Sequence, residues 1–324
     1  SGEKAIQTYF SEGEGSYLKE QVSPGFWDDL THFEGNANAF RLLTHRFVGR
    51  RPGGYAMTYS TLASIVKYPF ASSMAGEHGK FGFFQSEAEV FRKIATELGM
   101  ICNKENRSQL SYCRYPLVYL MEAADDICYE IMDIEDSHKL KILTFAETSD
   151  LLLGFFDEGG RKHILQRLED EDVTDRNEQV VYMRACVVGL LEHECVKTFV
   201  EHEEQILNGE FKGSLISNEP LRQAYQRCVK TSYAKIYQSK PVLDVELSGY
   251  KIMETLMQTL VNAAVHPEKF HSQQLIKRFS SQYDIHSDDL ETRLMAVVDY
   301  ISGMTDVYAL DVYQKINGIA LPIV

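Results

Sequence analysis

One helix-forming segment carries a row of acidic side chains. Between Pro116 and His138, helical spacing places acids and one tyrosine on one face and apolar side chains on the other. The polar face comprises Glu122, Asp125, Asp126, Tyr129, Asp133 and Asp136. Carboxylates one turn apart repel each other, so such a face is either fully hydrated or meets a metal ion or basic side chains. Both interpretations stay open, although Tyr129, Ala123 and Ala124 favour the wall of a pocket.

A second group of candidates lies in the stretch HFEGNANAF and at Lys67. The pattern predicts one helix with His32 and Asn36 one turn apart and Gly35 between them. Glycine in a helix interior costs about 1 kcal/mol relative to alanine, so a close approach by backbone or ligand should explain it. The alternative is a helix-packing glycine beside a structural histidine. Lys67, expected in a last helical turn, either binds phosphate or is favoured there by the helix dipole.

Composition limits the class of protein. The chain has 324 residues, 44% of them hydrophobic, which is enough for a large core. The formal net charge of −14 argues against a protein that mainly grips nucleic acid through phosphate contacts. The 6 cysteines lack paired spacing and indicate free thiols in a reducing cytoplasm. No apolar run is long enough for a bilayer, so no membrane association is predicted.

Common catalytic signatures fail in this sequence. Gly79 and Lys80 lack the earlier glycine and the following hydroxyl residue of a phosphate-binding loop. His193 and Glu194 lack the second histidine of a zinc protease, and no GxSxG turn is present. The remaining candidates, which are the acidic face, HFEGNANAF and Lys67, suit phosphate chemistry.

The periodicity predicts an all-α protein. Strand signals are weak, no long linker or repeat appears, and residues 1–324 are predicted to form a single helical domain. The glycine-bearing stretch from Pro69 to Gln85 is a candidate mobile lid. Helices are predicted over Glu3 to Phe10, Asp28 to Val48, Thr58 to Lys67, Ser86 to Leu98, Pro116 to Asp136, Thr144 to Leu153, Glu178 to Leu207, Glu219 to Tyr237, Glu246 to Ala264, Ser272 to Phe279 and Asp288 to Lys315.

Four motifs, in this order, resemble one family. They are HFEGNANAFRLLT, IVKYP, YPLVYLMEAADDICYEIMDIEDSH and DYISGMTDVYALDVY. Their sequences are similar to those of the bacterial dGTP triphosphohydrolases, which belong to the HD superfamily of metal-dependent phosphohydrolases. The resemblance is close over residues 1–138 and about 290–316, and loose between about 140 and 235. It implies an HD-domain-like multi-helix fold, hydrolysis of a deoxynucleoside triphosphate to deoxynucleoside and inorganic triphosphate, and a homo-oligomer.

The resemblance also implies a divalent metal ion, such as Mg²⁺ or Mn²⁺, with Asp125 as one ligand. The family's other ligands, a histidine and a His-Asp pair, are expected before Ser1 in a segment absent from this sequence. Glu3 matches the glutamate that orients the family's catalytic histidine, which is expected in the same absent segment. The metal would activate water for attack at the α-phosphate.

Roles for the remaining residues follow from the resemblance. It implies that His32, Asn36 and Lys67 contact the phosphates. Tyr129 would crowd the sugar's 2′ position, and Asp133 would accept a hydrogen bond from its 3′-hydroxyl. The region of Tyr237 and Glu246 matches only loosely; it implies base stacking by Tyr237 and recognition of guanine by Glu246, which alternatively only begins a helix.

Other functions remain open at this point. A non-catalytic nucleotide-sensing or assembly subunit would need no complete metal site. An HD-type nucleotidase acting on monophosphates would release phosphate rather than triphosphate. Some relatives bind single-stranded DNA; the acidic balance gives this no support, although Arg46, Arg50 and Arg51 could form a local patch.

Overall fold

Helices dominate the structure. The computed structural model describes residues 2–76, 79–106 and 109–320. The strands found in these ranges form one two-stranded antiparallel sheet, β1 (Cys102–Asn106) with β2 (Gln109–Tyr112). The helices are α1 (Gly2–Ser11), α2 (Pro24–Thr31), α3 (Gly35–Thr44), α4 (Tyr59–Ser64), α5 (Ala88–Glu97), α6 (Val118–Lys139), α7 (Phe145–Leu153), α8 (Glu158–Asp170), α9 (Arg176–Glu201), α10 (Glu203–Leu207), α11 (Glu219–Thr231), α12 (Lys240–Val265), α13 (Phe270–Ile276), α14 (Leu290–Ser302) and α15 (Asp306–Ile316). The predicted all-α fold class is confirmed.

The chain divides into two compact units. Unit 1 comprises Ser1–Arg114 and Val245–Val324, and unit 2 comprises Tyr115–Asp244. Each unit has its own buried hydrophobic cluster. Since two compact units can belong to one domain or to two, the single domain stays a prediction.

The core of unit 1 is built from helices that are distant in sequence. Apolar side chains of α1 and α2, such as Phe10 and Leu30, share one buried cluster with Leu260 of α12 and Val297 of α14. Hydrophobic burial of this kind contributes roughly 25 cal/mol per Å² of apolar surface. The first and last parts of the chain are therefore held together in unit 1.

Unit 2 is a helical cluster organised around α6. The buried face of α6 presents Ile127, Ile131 and Ile134 to apolar residues of α7 and α9, among them Leu152 and Val187. The start of α7 is fixed by a capping box, in which Thr144 and Glu147 bond reciprocally to each other's backbone N–H groups. The amphipathic pattern predicted for this region therefore corresponds to a helix with one buried side.

Several predicted helices are interrupted in the structure. The helix predicted over Asp28 to Val48 consists of α2 and α3, because the Glu34 side chain caps the start of α3. The helix predicted over Asp288 to Lys315 consists of α14 and α15, because Thr305 caps α15 through the N–H of Tyr308. Helix α8 was not predicted; Asp157 caps it by accepting the N–H of Gly160.

The stretch predicted as a mobile lid is instead part of the core, as far as it is described. Phe81, Phe83 and Phe84 are completely buried. The Phe83 ring stacks on Phe91 of α5 at a centroid distance of 4.5 Å. Moving this stretch would expose three aromatic rings to water, so the lid prediction was wrong for these residues. Glu77 and His78 lie outside the described residues.

All six cysteines are free thiols, as predicted. Burial raises the pKa of Cys195 to about 11 and that of Cys228 to about 12, so these two thiols are poor nucleophiles.

Across the described ranges, none of the helices combines the length and apolar character needed to cross a bilayer.

Candidate functional site

In unit 1, the carboxylate of Glu3 meets the beginning of α3. The Gly35 N–H donates a hydrogen bond of 2.9 Å to Glu3 Oε1. A Cβ atom at position 35 would stand only 2.6 Å from the same oxygen. Gly35 is therefore the first residue of α3 rather than an interior one, and its missing side chain makes room for Glu3. A close approach was one of the two interpretations of this glycine.

Glu34 is the buried centre of this cluster. It caps α3 by accepting the N–H groups of Asn36 at 2.6 Å and Ala37 at 3.3 Å. It also accepts the Asn36 side-chain amide at 2.9 Å and the Lys80 ammonium at 2.7 Å. The structure therefore brings the predicted residues Glu3 and Asn36 into one hydrogen-bonded group.

Lys80 completes the group and was missed by sequence reasoning. Its Nζ lies 2.7 Å from Glu34 and 3.5 Å from Glu3. Partial burial by itself would lower the lysine pKa, but the hydrogen bond to Glu34 and the negative charges of Glu34 and Glu3 together raise it. The ammonium is therefore held in its charged form. The sequence contained one sign of this lysine, the pair Gly79 and Lys80, which was rejected because it lacks the other residues of a phosphate-binding loop.

His32 lies beside this group, at the end of α2. Its Nδ1 donates to the carbonyl of Asp28 at 3.0 Å. Because a carbonyl only accepts, this contact assigns the proton to Nδ1 and leaves Nε2 to accept or carry a second proton. A Cβ built on Gly79 would lie 4.0 Å from the imidazole. His32 is the C-cap of α2 and Asn36 lies in α3, so the single helix predicted for them was wrong.

Lys67 is not in a helix. Helix α4 ends at Ser64, and the Lys67 carbonyl accepts a hydrogen bond of 3.2 Å from Arg114 Nε. Its predicted position in a last helical turn was wrong, so the helix dipole does not explain this lysine. The phosphate role of Lys67 stays a prediction.

In unit 2, the acidic face of α6 contains the predicted metal and sugar residues. Asp125 and Tyr129 are exposed, and Asp133 is half-buried. The hydroxyl of Tyr237 donates a hydrogen bond of 2.7 Å to Asp133 Oδ2. Burial and the bond to Asp133 raise the pKa of Tyr237, so the phenol stays protonated. Tyr237, expected at the base, thus contacts the acid expected at the sugar.

A π-helical turn, Ser232–Ile236, precedes Tyr237. Its first residue, Ser232, is buried and donates to Glu130 Oε1 at 2.8 Å. Burial raises the pKa of Glu130 although the serine bond opposes the shift. Glu130 and Glu135, which pairs with Lys139 and Arg184, are buried acids that helical periodicity did not single out. Single π-turns are common at functional sites because they change which residues face a pocket.

Glu246 lies within α12, which begins at Lys240. Its side chain is exposed. The alternative that Glu246 merely begins a helix was therefore wrong, since the helix starts more than one turn earlier. Its contact with a base stays a prediction.

No group of three or more His, Cys, Asp or Glu residues that could hold a metal ion occurs in the part of the chain that the structure describes. A divalent cation needs several ligands at fixed distances, and one exposed carboxylate at Asp125 does not supply them. The described residues therefore do not fit a complete metal site. The ligand role of Asp125 depends on further ligands and stays a prediction.

Comparison with known proteins shows which proteins this amino-acid sequence is similar to. Residues 215–315 match the family model of the phosphohydrolase-associated domain. A deoxyguanosinetriphosphate triphosphohydrolase-like protein of Pseudomonas aeruginosa is 31% identical over 333 residues, covering 99% of this chain and 74% of the relative. The chain belongs to the deoxyguanosinetriphosphate triphosphohydrolase family.

Other members of the triphosphohydrolase family support the same assignment. A deoxyguanosinetriphosphate triphosphohydrolase-like protein of Synechocystis is 31% identical over 341 residues, covering 99% of this chain and 73% of the relative. The deoxyguanosinetriphosphate triphosphohydrolase of Yersinia enterocolitica is 26% identical over 339 residues, covering 89% and 64%. The family match thus extends through the region where the motifs resembled the family only loosely, and it supports a phosphohydrolase role.

Proposed function

We propose that this protein hydrolyses deoxynucleoside triphosphates, with dGTP as the preferred substrate, to the deoxynucleoside and inorganic triphosphate. The proposal rests above all on the match over 99% of the chain to relatives with deoxyguanosinetriphosphate triphosphohydrolase in their names. The Glu3, Glu34 and Lys80 group gives it a chemical basis, because it holds a cation and a carboxylate at partly exposed positions beside His32.

The phosphates would be bound by cations and hydrogen-bond donors of unit 1. Lys80 and Lys67 carry ammonium groups, and Asn36 offers an amide. His32, with Nδ1 fixed on a carbonyl, can donate from Nε2 when protonated. Such donors stabilise the negative charge that builds up as the α-phosphate is attacked. Glu3 already accepts the N–H of Gly35 and lies beside Lys80, so it would orient the phosphate-binding group.

The sugar would be recognised on α6. Asp133 receives the Tyr237 hydroxyl on Oδ2, which leaves Oδ1 for the 3′-hydroxyl of a deoxyribose. Tyr129, with 63% of its surface exposed, would fill the space that a 2′-hydroxyl needs. Because a filled space costs binding energy to the larger sugar, deoxyribose would be preferred to ribose.

Two further roles are part of the proposal. Asp125 would give one ligand to Mg²⁺ or Mn²⁺. The exposed carboxylate of Glu246 would accept hydrogen bonds from the Watson-Crick edge of guanine. We further propose that the protein acts as a homo-oligomer in the cytoplasm.

The test is product analysis. The protein is incubated with dGTP and either Mg²⁺ or Mn²⁺, and the products are separated by anion-exchange chromatography. We expect deoxyguanosine and inorganic triphosphate in equal amounts, with slower turnover of GTP and of the other deoxynucleotides. A parallel reaction with dGMP detects a nucleotidase.

Other products would contradict the proposal. Release of orthophosphate from dGMP, without triphosphate from dGTP, would favour a nucleotidase. Binding of dGTP without any product, in the presence of Mg²⁺ or Mn²⁺, would favour a nucleotide-sensing subunit.

A further inference from the structure

Glu34 is an unusual residue for its position. It is the N-cap of α3, where serine, threonine, aspartate and asparagine are preferred because their short side chains reach the first N–H groups. Its side chain is only 1% exposed. A buried carboxylate is costly unless hydrogen bonds and a counter-charge compensate it. A shorter residue could cap this helix, so capping does not explain why a glutamate stands here.

The two oxygens of Glu34 have different partners. Oε2 accepts the backbone N–H groups of Asn36 and Ala37 and therefore forms the cap. Oε1 accepts Lys80 Nζ at 2.7 Å and the side-chain amide of Asn36 at 2.9 Å. The length of glutamate thus lets one side chain cap the helix and hold two functional groups.

Both groups held by Oε1 are donors that a phosphate could use. Lys80 is 40% exposed on its side chain, so its ammonium is accessible while one of its hydrogens is fixed. On its other side lies Glu3, whose Oε2 is 3.5 Å from the ammonium. Glu34 itself is too buried to touch a ligand.

We propose that Glu34 is a positioning residue for the reaction: its Oε1 orients the Lys80 ammonium and the Asn36 amide toward the phosphates of the substrate. This inference rests on the proposed function. A flexible lysine loses rotamer entropy when it must bind a phosphate, and a fixed one has already lost it before the substrate arrives. Glu34 therefore acts through Lys80 and Asn36 rather than on the substrate.

The substitution Glu34→Gln separates positioning from capping. The backbone N–H groups of α3 require an acceptor, so the amide oxygen of glutamine takes the place of Oε2. The amide nitrogen then faces Lys80 and the Asn36 amide, where donors oppose donors. The helix cap is therefore kept, whereas the hydrogen bond and ion pair to Lys80 are lost. Glu34→Asp is the second variant, because it keeps the charge and can still cap but is one methylene too short to reach Lys80.

The experiment measures lysine reactivity, folding and turnover in the same proteins. Reductive methylation with isotopic formaldehyde, followed by peptide mass spectrometry, gives the labelling rate of Lys80 relative to the exposed Lys4. Circular dichroism gives the melting temperature, and triphosphate release gives kcat and KM for dGTP. Glu12→Gln, a change at an exposed glutamate of the same unit, is the matched control.

We expect Lys80 to be labelled about threefold faster or more in Glu34→Gln, because loss of the carboxylate lowers the fraction of protonated amine. We expect kcat to fall about 10- to 100-fold, the usual effect of losing a residue that orients a ligand-binding group. KM should change less than kcat. In a Lys80→Gln background, Glu34→Gln should add less than about a twofold loss, because both act through the same ammonium.

Two results would overturn the inference. One is an unchanged Lys80 labelling rate in both Glu34→Gln and Glu34→Asp. The other is a wild-type kcat in a variant whose Lys80 is labelled faster. A purely structural role would instead lower the melting temperature and the active fraction without changing Lys80 reactivity. Failure of the proposed function is distinguishable, since the wild-type protein would then release no triphosphate while Lys80 labelling still responds to Glu34.

Discussion

Two clusters of acidic side chains, one in each unit, have different partners. In unit 1, Glu3 and Glu34 meet a lysine and backbone N–H groups at the start of a helix. In unit 2, Glu130 and Asp133 meet the hydroxyls of Ser232 and Tyr237. A cation neutralises the charge of a carboxylate, whereas a hydroxyl only donates a hydrogen bond to it. The Lys80 ammonium of the first cluster suits an anion such as phosphate, whereas the hydroxyl-bonded carboxylates of α6 suit a cation or a sugar hydroxyl.

A second contrast concerns two ion pairs, one in each unit. Arg41 is buried and makes two bonds of 2.8 Å to Asp299 and one of 2.6 Å to Glu87. These contacts join α3, α14 and the turn before α5. In unit 2, the pair of Arg222 and Glu219 is half-exposed and lies within one helix. Substitutions in the two units can test this contrast, from the largest expected effect to the smallest.

Replacing Asp125 by alanine tests the cation-binding role of α6 most directly. If this carboxylate holds the metal ion, turnover of dGTP should fall about a thousandfold or more, since a metal ion stabilises the transition state by several kcal/mol. Triphosphate release and Mn²⁺ binding by calorimetry are measured together. Asp136→Ala, an exposed acid on the same helix, is the control and should leave both nearly unchanged. Retained turnover in Asp125→Ala would remove the ligand assignment.

Replacing Arg41 by methionine should destabilise the protein by about 3–5 kcal/mol. The change leaves Asp299 and Glu87 buried without their counter-charge, which costs more than the ion pair contributed. Urea unfolding followed by circular dichroism measures the loss. Arg222→Met breaks the exposed pair of unit 2 and should cost at most about 0.5 kcal/mol. Equal losses in the two variants would contradict the contrast between buried and exposed pairs.

Asp29 should make the stability of the protein depend on pH. Burial raises its pKa to about 8, although Ser72 and the N–H of Gln85 donate hydrogen bonds to it. The folded state therefore keeps a proton that the unfolded chain loses near pH 4, so stability falls as the pH rises from about 4 to about 8. The loss should be on the order of a few kcal/mol and stay constant above pH 8.

Urea unfolding at several pH values measures this effect. Asp29→Asn can keep both hydrogen bonds, because its amide donates to Ser72 and its oxygen accepts from Gln85. The variant should lose most of the dependence on pH in this window. Asp170→Asn, on an exposed helix end of unit 2, should retain it. If the free energy of unfolding of Asp29→Asn depended on pH as it does in the wild-type protein, Asp29 would not be the source of this dependence.

Replacing Gly35 by alanine should have the smallest effect on stability. The new Cβ would lie 2.6 Å from Glu3 Oε1, so the carboxylate must move and its bond to the Gly35 N–H weakens. A loss of about 1–2 kcal/mol is expected. A Cβ added at Gly189 in α9 would meet no described atom within 4 Å beyond the backbone of its own helix, so Gly189→Ala should stabilise by about 0.5–1 kcal/mol. Thermal unfolding compares the two, and a stabilised Gly35→Ala would argue against the close approach of Glu3.

The sequence predicted some local features well. The faces of α6 followed from helical spacing, and the helix predicted over Thr144 to Leu153 corresponds to α7 and its N-cap Thr144. It failed where a side chain inside a predicted helix caps the start of a new one. Glu34 caps α3 after the break from α2, and its buried carboxylate is compensated by Lys80, which is distant in sequence. A pattern of apolar residues continues through such a break, so periodicity alone predicts one long helix.

The sequence by itself determined that this protein is helical, where its acidic face lies, and which family it belongs to, because these depend on the order of neighbouring residues. Only the tertiary structure decided which carboxylate meets which cation. Glu3 and Gly35 are 32 positions apart, and Glu34 and Lys80 are 46 apart. Electrostatic and hydrogen-bond energies depend on distances of a few ångströms between atoms, and folding sets those distances. Glu34 and Lys80 could therefore be identified as partners only when the folded chain brought them together.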